Sequence, residues 1–156
     1  MSDDQKTANL PVNGSDSNLT VDTGADYIVV AEDSGPNRQI LCLLLRKLGF
    51  ATLEFEDGKA AWEALQNVGG RKIVAVISDL MMPTMDGLEL LRRVRNDESM
   101  AKLPFVLVTA VSDKDYVFEA KNLEVDGYIL KPVTYKRIAD KMQALFPNRQ
   151  FPPLAS

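Results

Sequence analysis

One stretch constrains the fold more than any other. Ile73-Val74-Ala75-Val76-Ile77 is a continuous apolar run, four of its five residues β-branched, and it ends abruptly at Ser78-Asp79. Such a run fits a strand covered on both faces, as in a parallel sheet; a half-exposed strand would alternate. A carboxylate at the end of a buried strand is costly unless water, a cation or a partner meets it there. The carboxyl ends of strands are also where open α/β sheets bind ligands. Asp79 is therefore the first candidate for chemistry. Pro83 and Gly87 then break the strand and lead into a helix, with Asp86 as its cap.

The rest of the chain repeats this alternation. Tyr27–Ala31 reads as a strand that ends in Glu32-Asp33-Ser34, with Gly35-Pro36 as a helix start. Ile40, Leu41, Leu44, Leu45 and Leu48 recur at helical spacing, and Gly49 supplies the stop. Ala51–Phe55 is a second strand and Asp57-Gly58 a turn. Ala61, Ala64, Leu65 and Val68 mark a helix closed by Gly69-Gly70. After the central strand, a helix from Asp86 to Asn96 turns Leu88, Leu91 and Val94 inward. Phe105–Val108 is a buried strand ending at Thr109-Ala110, and Ser112 caps a helix over 113–122. Tyr128–Leu130 is the fifth strand, ending at Lys131-Pro132. A last helix over 134–146 buries Ile138, Met142 and Leu145. Five strands alternating with five helices mean an open parallel α/β sheet over residues 26–147. Residues 1–25 read as a flexible N-terminal tail. Residues 148–156 read as a short C-terminal tail, with disorder expected at Phe151–Leu154.

Composition narrows the chemistry. The chain has no histidine, which removes Ser-His-Asp and Cys-His catalysis and histidine-bound zinc. Its one cysteine, Cys42, lies among leucines and reads as a small buried hydrophobe. Net charge is −4, of which −3 falls in residues 1–25, so the folded part is nearly neutral and no basic block points to nucleic acid. No run reaches the roughly 18 apolar residues of a transmembrane helix. The N-terminus lacks signal-peptide features, which makes a cytoplasmic location the default.

Polar residues stand at four strand ends: Glu32 and Asp33, Asp79, Thr109, and Lys131. In the doubly wound order 2-1-3-4-5 the first and third strands are neighbours, which brings Glu32, Asp33 and Asp79 into one oxygen-rich pocket. Three crowded carboxylates repel unless a hard cation sits among them, and Mg²⁺ suits such a site. Lys131 and Thr109 would supply a positive charge and a hydroxyl on the other side. A cation, a lysine and a hydroxyl around one carboxylate cradle a phosphoryl group.

These motifs give the resemblance: AEDS at 31–34, SDLMMPTMDG at 78–87, TA at 109–110 and YILKP at 128–132. The spacings are 46 residues from Asp33 to Asp79, 30 from Asp79 to Thr109 and 22 from Thr109 to Lys131. Over about residues 26–147 the sequence resembles the receiver domain of two-component response regulators. The resemblance implies a flavodoxin-like (βα)5 fold. It implies that Asp79 is the phosphoacceptor, attacking the phosphorus of a phosphohistidine donor. It places Asp33, Asp79 and the Met81 carbonyl on Mg²⁺, with Glu32 ordering its water or binding it. Lys131 would pair with the phosphoryl oxygens and Thr109 would swing its hydroxyl onto them. Tyr128 would be the aromatic switch, and a cis peptide before Pro132 would aim Lys131. The implied partners are a sensor histidine kinase or a histidine phosphotransfer protein, and a downstream protein target on the face built by residues 113–146.

Several finer expectations follow. Met81 and Val111 are apolar, which would slow hydrolysis of the acyl phosphate. No effector module follows Leu145, so the chain reads as a stand-alone, chemotaxis-type receiver or as a phosphorelay intermediate. An aspartyl-nucleophile phosphatase needs a second acid two residues beyond the nucleophile, where this chain has Met81. A flavodoxin-like cofactor binder would need a loop after the first strand that welcomes phosphate, and Glu32-Asp33 would repel one.

Overall fold

The structure is a computed structural model and describes residues 24–110 and 114–152. Ten elements follow one another as the sequence predicts. They are β1 Asp26–Ala31, α1 Gly35–Lys47, β2 Ala51–Phe55, α2 Gly58–Leu65 and β3 Lys72–Asp79. The second half holds α3 Gly87–Asn96, β4 Phe105–Thr109, α4 Lys114–Asn122, β5 Gly127–Leu130 and α5 Tyr135–Leu145. All strand pairs are parallel and the order is β2-β1-β3-β4-β5, the doubly wound flavodoxin-like arrangement.

Strand alternation divides the core into two layers. Ile28, Val30, Ala75, Ile77, Val106, Val108 and Ile129 pack against α1 and α5 through Leu41, Cys42, Leu45, Ile138 and Met142. Val29, Ala31, Leu53, Val76 and Leu107 face the opposite layer, with Ala61, Leu65, Leu88, Leu91 and Val94 of α2 and α3. From Ala75 to Asp79 β3 is buried on both faces, which is why its sequence does not alternate there.

Side chains fix the helix starts. Ser34 Oγ accepts from the Asn37 N–H at 3.3 Å, and Asp86 Oδ1 accepts from the Glu89 N–H at 2.8 Å. Asp57, read from sequence only as part of a turn, caps α2 by accepting from the Ala60 N–H at 2.8 Å. Thr134 does the same for α5.

The apolar stripes hold with corrections at their margins. Ile40 is 49% exposed. Leu41, Leu45 and Leu48 face the sheet, and at 100° per residue Ile40 lies a quarter-turn off their line, beyond the half-buried Leu44. Helix α2 stops at Leu65, before Val68, which is half-buried outside it. Leu145 is half-buried rather than buried.

The expectation of a disordered C-terminal segment is corrected as far as residue 152. Phe151 is half-buried and its ring lies 6.0 Å from that of Phe50, which also meets Phe146 at 5.6 Å. The Arg149 guanidinium stacks 4.1 Å from the Phe50 ring centre, donates to Gly49 O at 3.0 Å and pairs with Asp26. Cation–π contacts to Phe50 and Phe151, the ring contact between them, the Gly49 hydrogen bond and the Asp26 ion pair together dock a segment whose composition reads as a tail. The expectations for residues 1–23, Val111, the Ser112 cap, a helix start at Asp113 and Pro153-Leu154 lie outside the described residues.

Candidate functional site

Register sets the site. Ala31 pairs with Ser78 across β1 and β3, so Glu32 and Asp79, each one residue further, emerge side by side. Asp79 in turn pairs with Val108, one residue before Thr109. Thr109 pairs with Leu130, one residue before Lys131. The four strand ends therefore deliver their polar residues to one edge of the sheet.

Asp79, Glu32 and Thr109 are buried there, at 4%, 3% and 2% exposure, while Asp33 is exposed. One carboxylate oxygen from each of Glu32, Asp33 and Asp79 lies within 4.8 Å of the others. This all-oxygen donor set of hard, anionic groups fits a hard divalent cation such as Mg²⁺. Lys131 approaches from the other side. Its Nζ is 3.0 Å from Asp79 Oδ1 and 3.1 Å from Oδ2. The Lys131–Pro132 peptide is cis.

The electrostatics follow from this packing. Burial pushes the Glu32 carboxyl up to about 7, and the charge of Asp79 adds to the rise. The Ser34 N–H, which donates to Glu32 Oε2 at 3.0 Å, and the Lys131 ammonium work against it. Burial acts to lower the Lys131 pKa. Its hydrogen bond to Asp79 and the charges of Asp79, Glu32 and Asp33 outweigh that and hold it above its ordinary value. Lys131 is thus a fixed cation.

Tyr128 is half-buried and its hydroxyl donates to Val117 O of α4 at 2.9 Å, while burial raises its pKa. It is thus tied to α4. Met81, 48% exposed, lies in the loop just after Asp79.

Three positioning features escaped the sequence reading. Gly87 is one: a Cβ there would sit 2.3 Å from Asp79 O and 2.9 Å from Leu107 Cδ2. Its N–H donates to Leu80 O at 2.8 Å, so the loop after Asp79 folds straight back onto the strand. Gly58 is the second, with a Cβ position 2.4 Å from Met85 O, the carbonyl that accepts from the Gly58 N–H at 3.1 Å. Both were legible only as breakers, because contact with a distant backbone leaves no local pattern. The third is Arg38, whose Nη1 donates to Glu32 O at 2.8 Å and fixes the β1–α1 loop. Helical spacing from the Ser34 cap offered the one available hint.

The chain is similar to known proteins in sequence and in fold. The family model described as "Response regulator receiver domain" matches residues 28–143. The chain is 37% identical over 120 residues to the chemotaxis protein CheY of Pseudomonas aeruginosa, covering 76% of this chain and 94% of that one. It is 35% identical over 120 residues to CheY-3 of Vibrio cholerae, covering 76% and 90%. Among solved structures, a response regulator receiver protein from Pseudomonas putida matches with a TM-score of 0.69 and 26% identity, over 77% of this chain and 97% of that one. The chemotaxis response regulator CheY4 of Vibrio cholerae shares the fold with a TM-score of 0.70 at 23% identity, over 78% and 98%. With a family model spanning most of its length and relatives of this identity, the chain belongs to the response regulator receiver family, as a CheY-type domain of two-component signalling.

Proposed function

We propose that this receiver is phosphorylated on Asp79 in a Mg²⁺-dependent reaction and that the modification switches a protein-binding face. The carrying observation is that Lys131 contacts both oxygens of Asp79 while Glu32 and Asp33 crowd it from the other side. A carboxylate with a fixed cation on one side and a metal-ligand set on the other is prepared to gain a phosphoryl group. An Asp79 oxygen attacks the phosphorus of a phosphohistidine. A P–O bond forms, the P–N bond breaks, and the electron pair returns to the imidazole, which takes up a proton. Glu32, Asp33, Asp79 and the Met81 carbonyl would hold Mg²⁺, which supplies charge neutralisation as negative charge gathers on the phosphoryl oxygens. Lys131 orients the acceptor and then pairs with the phosphoryl group, and the Thr109 hydroxyl donates to it.

The gain of a dianionic group with three acceptor oxygens biases the segments that carry Thr109 and Lys131, and Tyr128 responds as the aromatic switch. Residues 26–147 form the receiver unit, with residues 1–25 and 148–156 as flanking segments. The donor is a sensor histidine kinase or a histidine phosphotransfer protein. The downstream target binds the face over 113–146, where Tyr116, Phe118 and Leu130 are 39%, 70% and 45% exposed. Exposed aromatic and aliphatic groups of this size suit a protein partner. A phosphorelay intermediate is the alternative role for the same site. Turnover as a phosphatase is disfavoured because Met81 stands where a second acid is needed. Among the described residues no helix is long and apolar enough to cross a membrane, and we place the protein in the cytoplasm.

Incubation with phosphoramidate, a small phosphohistidine-like donor, tests the metal assignment. Phosphoryl gain is expected with Mg²⁺ and not with EDTA. Equal gain in EDTA would remove the metal from the reaction.

A further inference from the structure

Strand β2 lies at the edge of the sheet and points one charge toward α1. Leu53 and Phe55 face the layer of α2 and α3, so Thr52 and Glu54, at the alternate positions, face α1. Glu54 is 21% exposed and pairs in register with the buried Val30. A charge placed there needs partners. Helix α1 supplies them from Arg38 and Arg46, which lie on one stripe with Cys42 between them. Arg46 Nη1 donates to Thr52 Oγ1 at 3.1 Å and is 3.7 Å from Glu54 Oε2. Arg38 Nε is 3.8 Å from Glu54 Oε1. An inward charge also keeps an edge strand from pairing with another chain, but one arginine partner is enough for that. The second arginine does something more.

With Nη1, Arg38 donates to Glu32 O at 2.8 Å. The Glu32 N–H donates to Phe55 O, the last residue of β2, at 3.0 Å. Both backbone polar groups of Glu32 are therefore held, one by the end of β2 and one by an arginine that β2 also tethers. The peptide that follows is planar, so fixing the Glu32 carbonyl fixes the direction in which the chain leaves for Asp33. Asp33 depends on that. It is exposed, and among the described residues no hydrogen bond or ion pair holds its carboxylate. Glu32 differs, because its own carboxylate accepts from the Ser34 N–H at 3.0 Å. Of the three acids that come within 4.8 Å of one another, Asp33 is thus the one aimed by backbone alone.

We propose that Arg38 is a positioning residue for the divalent-cation site: tethered by Glu54, it fixes the Glu32–Asp33 peptide and so sets the aim of the Asp33 carboxylate. The consequence for the cation rests on the Mg²⁺ reading above; the consequence for the peptide does not. Position and charge pull in opposite directions here. A guanidinium near a cation site repels the cation, and Glu54 offsets that charge. Loss of the Arg38 charge by itself would tighten Mg²⁺ binding, whereas loss of its grip on Glu32 O weakens it.

Calorimetric titration of the full chain with Mg²⁺ tests it. Arg38→Gln is expected to weaken Mg²⁺ binding about tenfold relative to wild type, the scale seen for groups that orient metal ligands, and Glu54→Gln about threefold. Both ratios should persist in about 0.5 M KCl, which screens charge effects but not position. Unchanged or tighter binding in Arg38→Gln would overturn the proposal. If Arg38→Gln does not fold, Glu54→Gln decides: unchanged binding, or a loss that vanishes in the high salt, would overturn it. Amide hydrogen exchange in EDTA reads the peptide without the metal. Arg38→Gln is expected to speed exchange at Ser34 about tenfold while Leu45, further along α1, keeps its protection. No change at Ser34 would overturn the proposal, and so would equal acceleration at Leu45, the mark of general destabilisation. Wild type that takes up no Mg²⁺ would overturn the metal reading, while exchange at Ser34 still decides whether Arg38 holds the peptide.

Discussion

Glu32 is the residue at which folding and the proposed metal binding would oppose one another. Its carboxyl is raised to about 7 in the folded chain, mainly by burial and then by Asp79. A carboxyl raised above its unfolded value binds more protons folded than unfolded. Its contribution to stability is therefore present below about pH 4.5 and lost as pH rises through about 7. A divalent cation held among Glu32, Asp33 and Asp79, as proposed, would relieve that loss. Mg²⁺ should accordingly raise Tm more at pH 8 than at pH 5.5. In EDTA at pH 8, Glu32→Gln should melt higher than wild type. A Mg²⁺ effect on melting that is the same at both pH values would contradict this electrostatic picture.

Gly87 sets two residue-level effects against each other. Alanine is favoured over glycine in a helix by about 1 kcal/mol. The added Cβ would stand 2.3 Å from Asp79 O, contact with backbone that cannot step aside. Overpacking of this kind costs about 1–3 kcal/mol or more, so the clash wins. Gly87→Ala should lower urea stability by about 1–3 kcal/mol and impair phosphoacceptance, because the strand end carrying Asp79 moves. A variant as stable as wild type would show the close approach to be unimportant.

At the scale of elements, the strands and helices were legible because their periodicities are strong and their ends are marked. Asp86 and Gly49 act where the sequence places them. The residues that gather at one edge were legible too, since parallel strands put all their carboxyl ends on one side. What was not legible depended on partners far apart in sequence. Arg149 meets Asp26, Gly49 and Phe50 only once α1 and α5 lie side by side. Arg95 finds the end of α4 across 28 to 31 residues. The C-terminal clasp is open to measurement. Arg149→Ala should cost about 1–2 kcal/mol in urea denaturation, discounted for partial exposure of the ion pair. Arg149→Lys should recover little, because the planar stack on Phe50 is lost.

Helix α1 adds a pH dependence of its own. Burial pushes the Cys42 thiol up from 9.0 to about 12, with the charge of Glu54 adding to it. The folded chain therefore holds this proton longer than the unfolded chain. The stability involved is complete below about pH 9 and is lost as pH rises toward about 12. A thiol reagent at pH 8 should leave native Cys42 untouched and modify it rapidly in urea. Fast reaction in the native protein would contradict the burial of this residue in the α1–sheet layer.

For the whole molecule, one parallel sheet does the organising. Its register brings Glu32, Asp79, Thr109 and Lys131 to one edge, and helices cover both of its faces. Beside this edge, only Ala120 is buried among residues 115–122 of α4. The central claim is that Asp79 accepts a phosphoryl group. Intact-protein mass after incubation with acetyl phosphate and Mg²⁺, on wild type and Asp79→Asn, tests it most directly. A gain of one phosphoryl in wild type alone is expected. No gain in wild type, or an equal gain in Asp79→Asn, would contradict it.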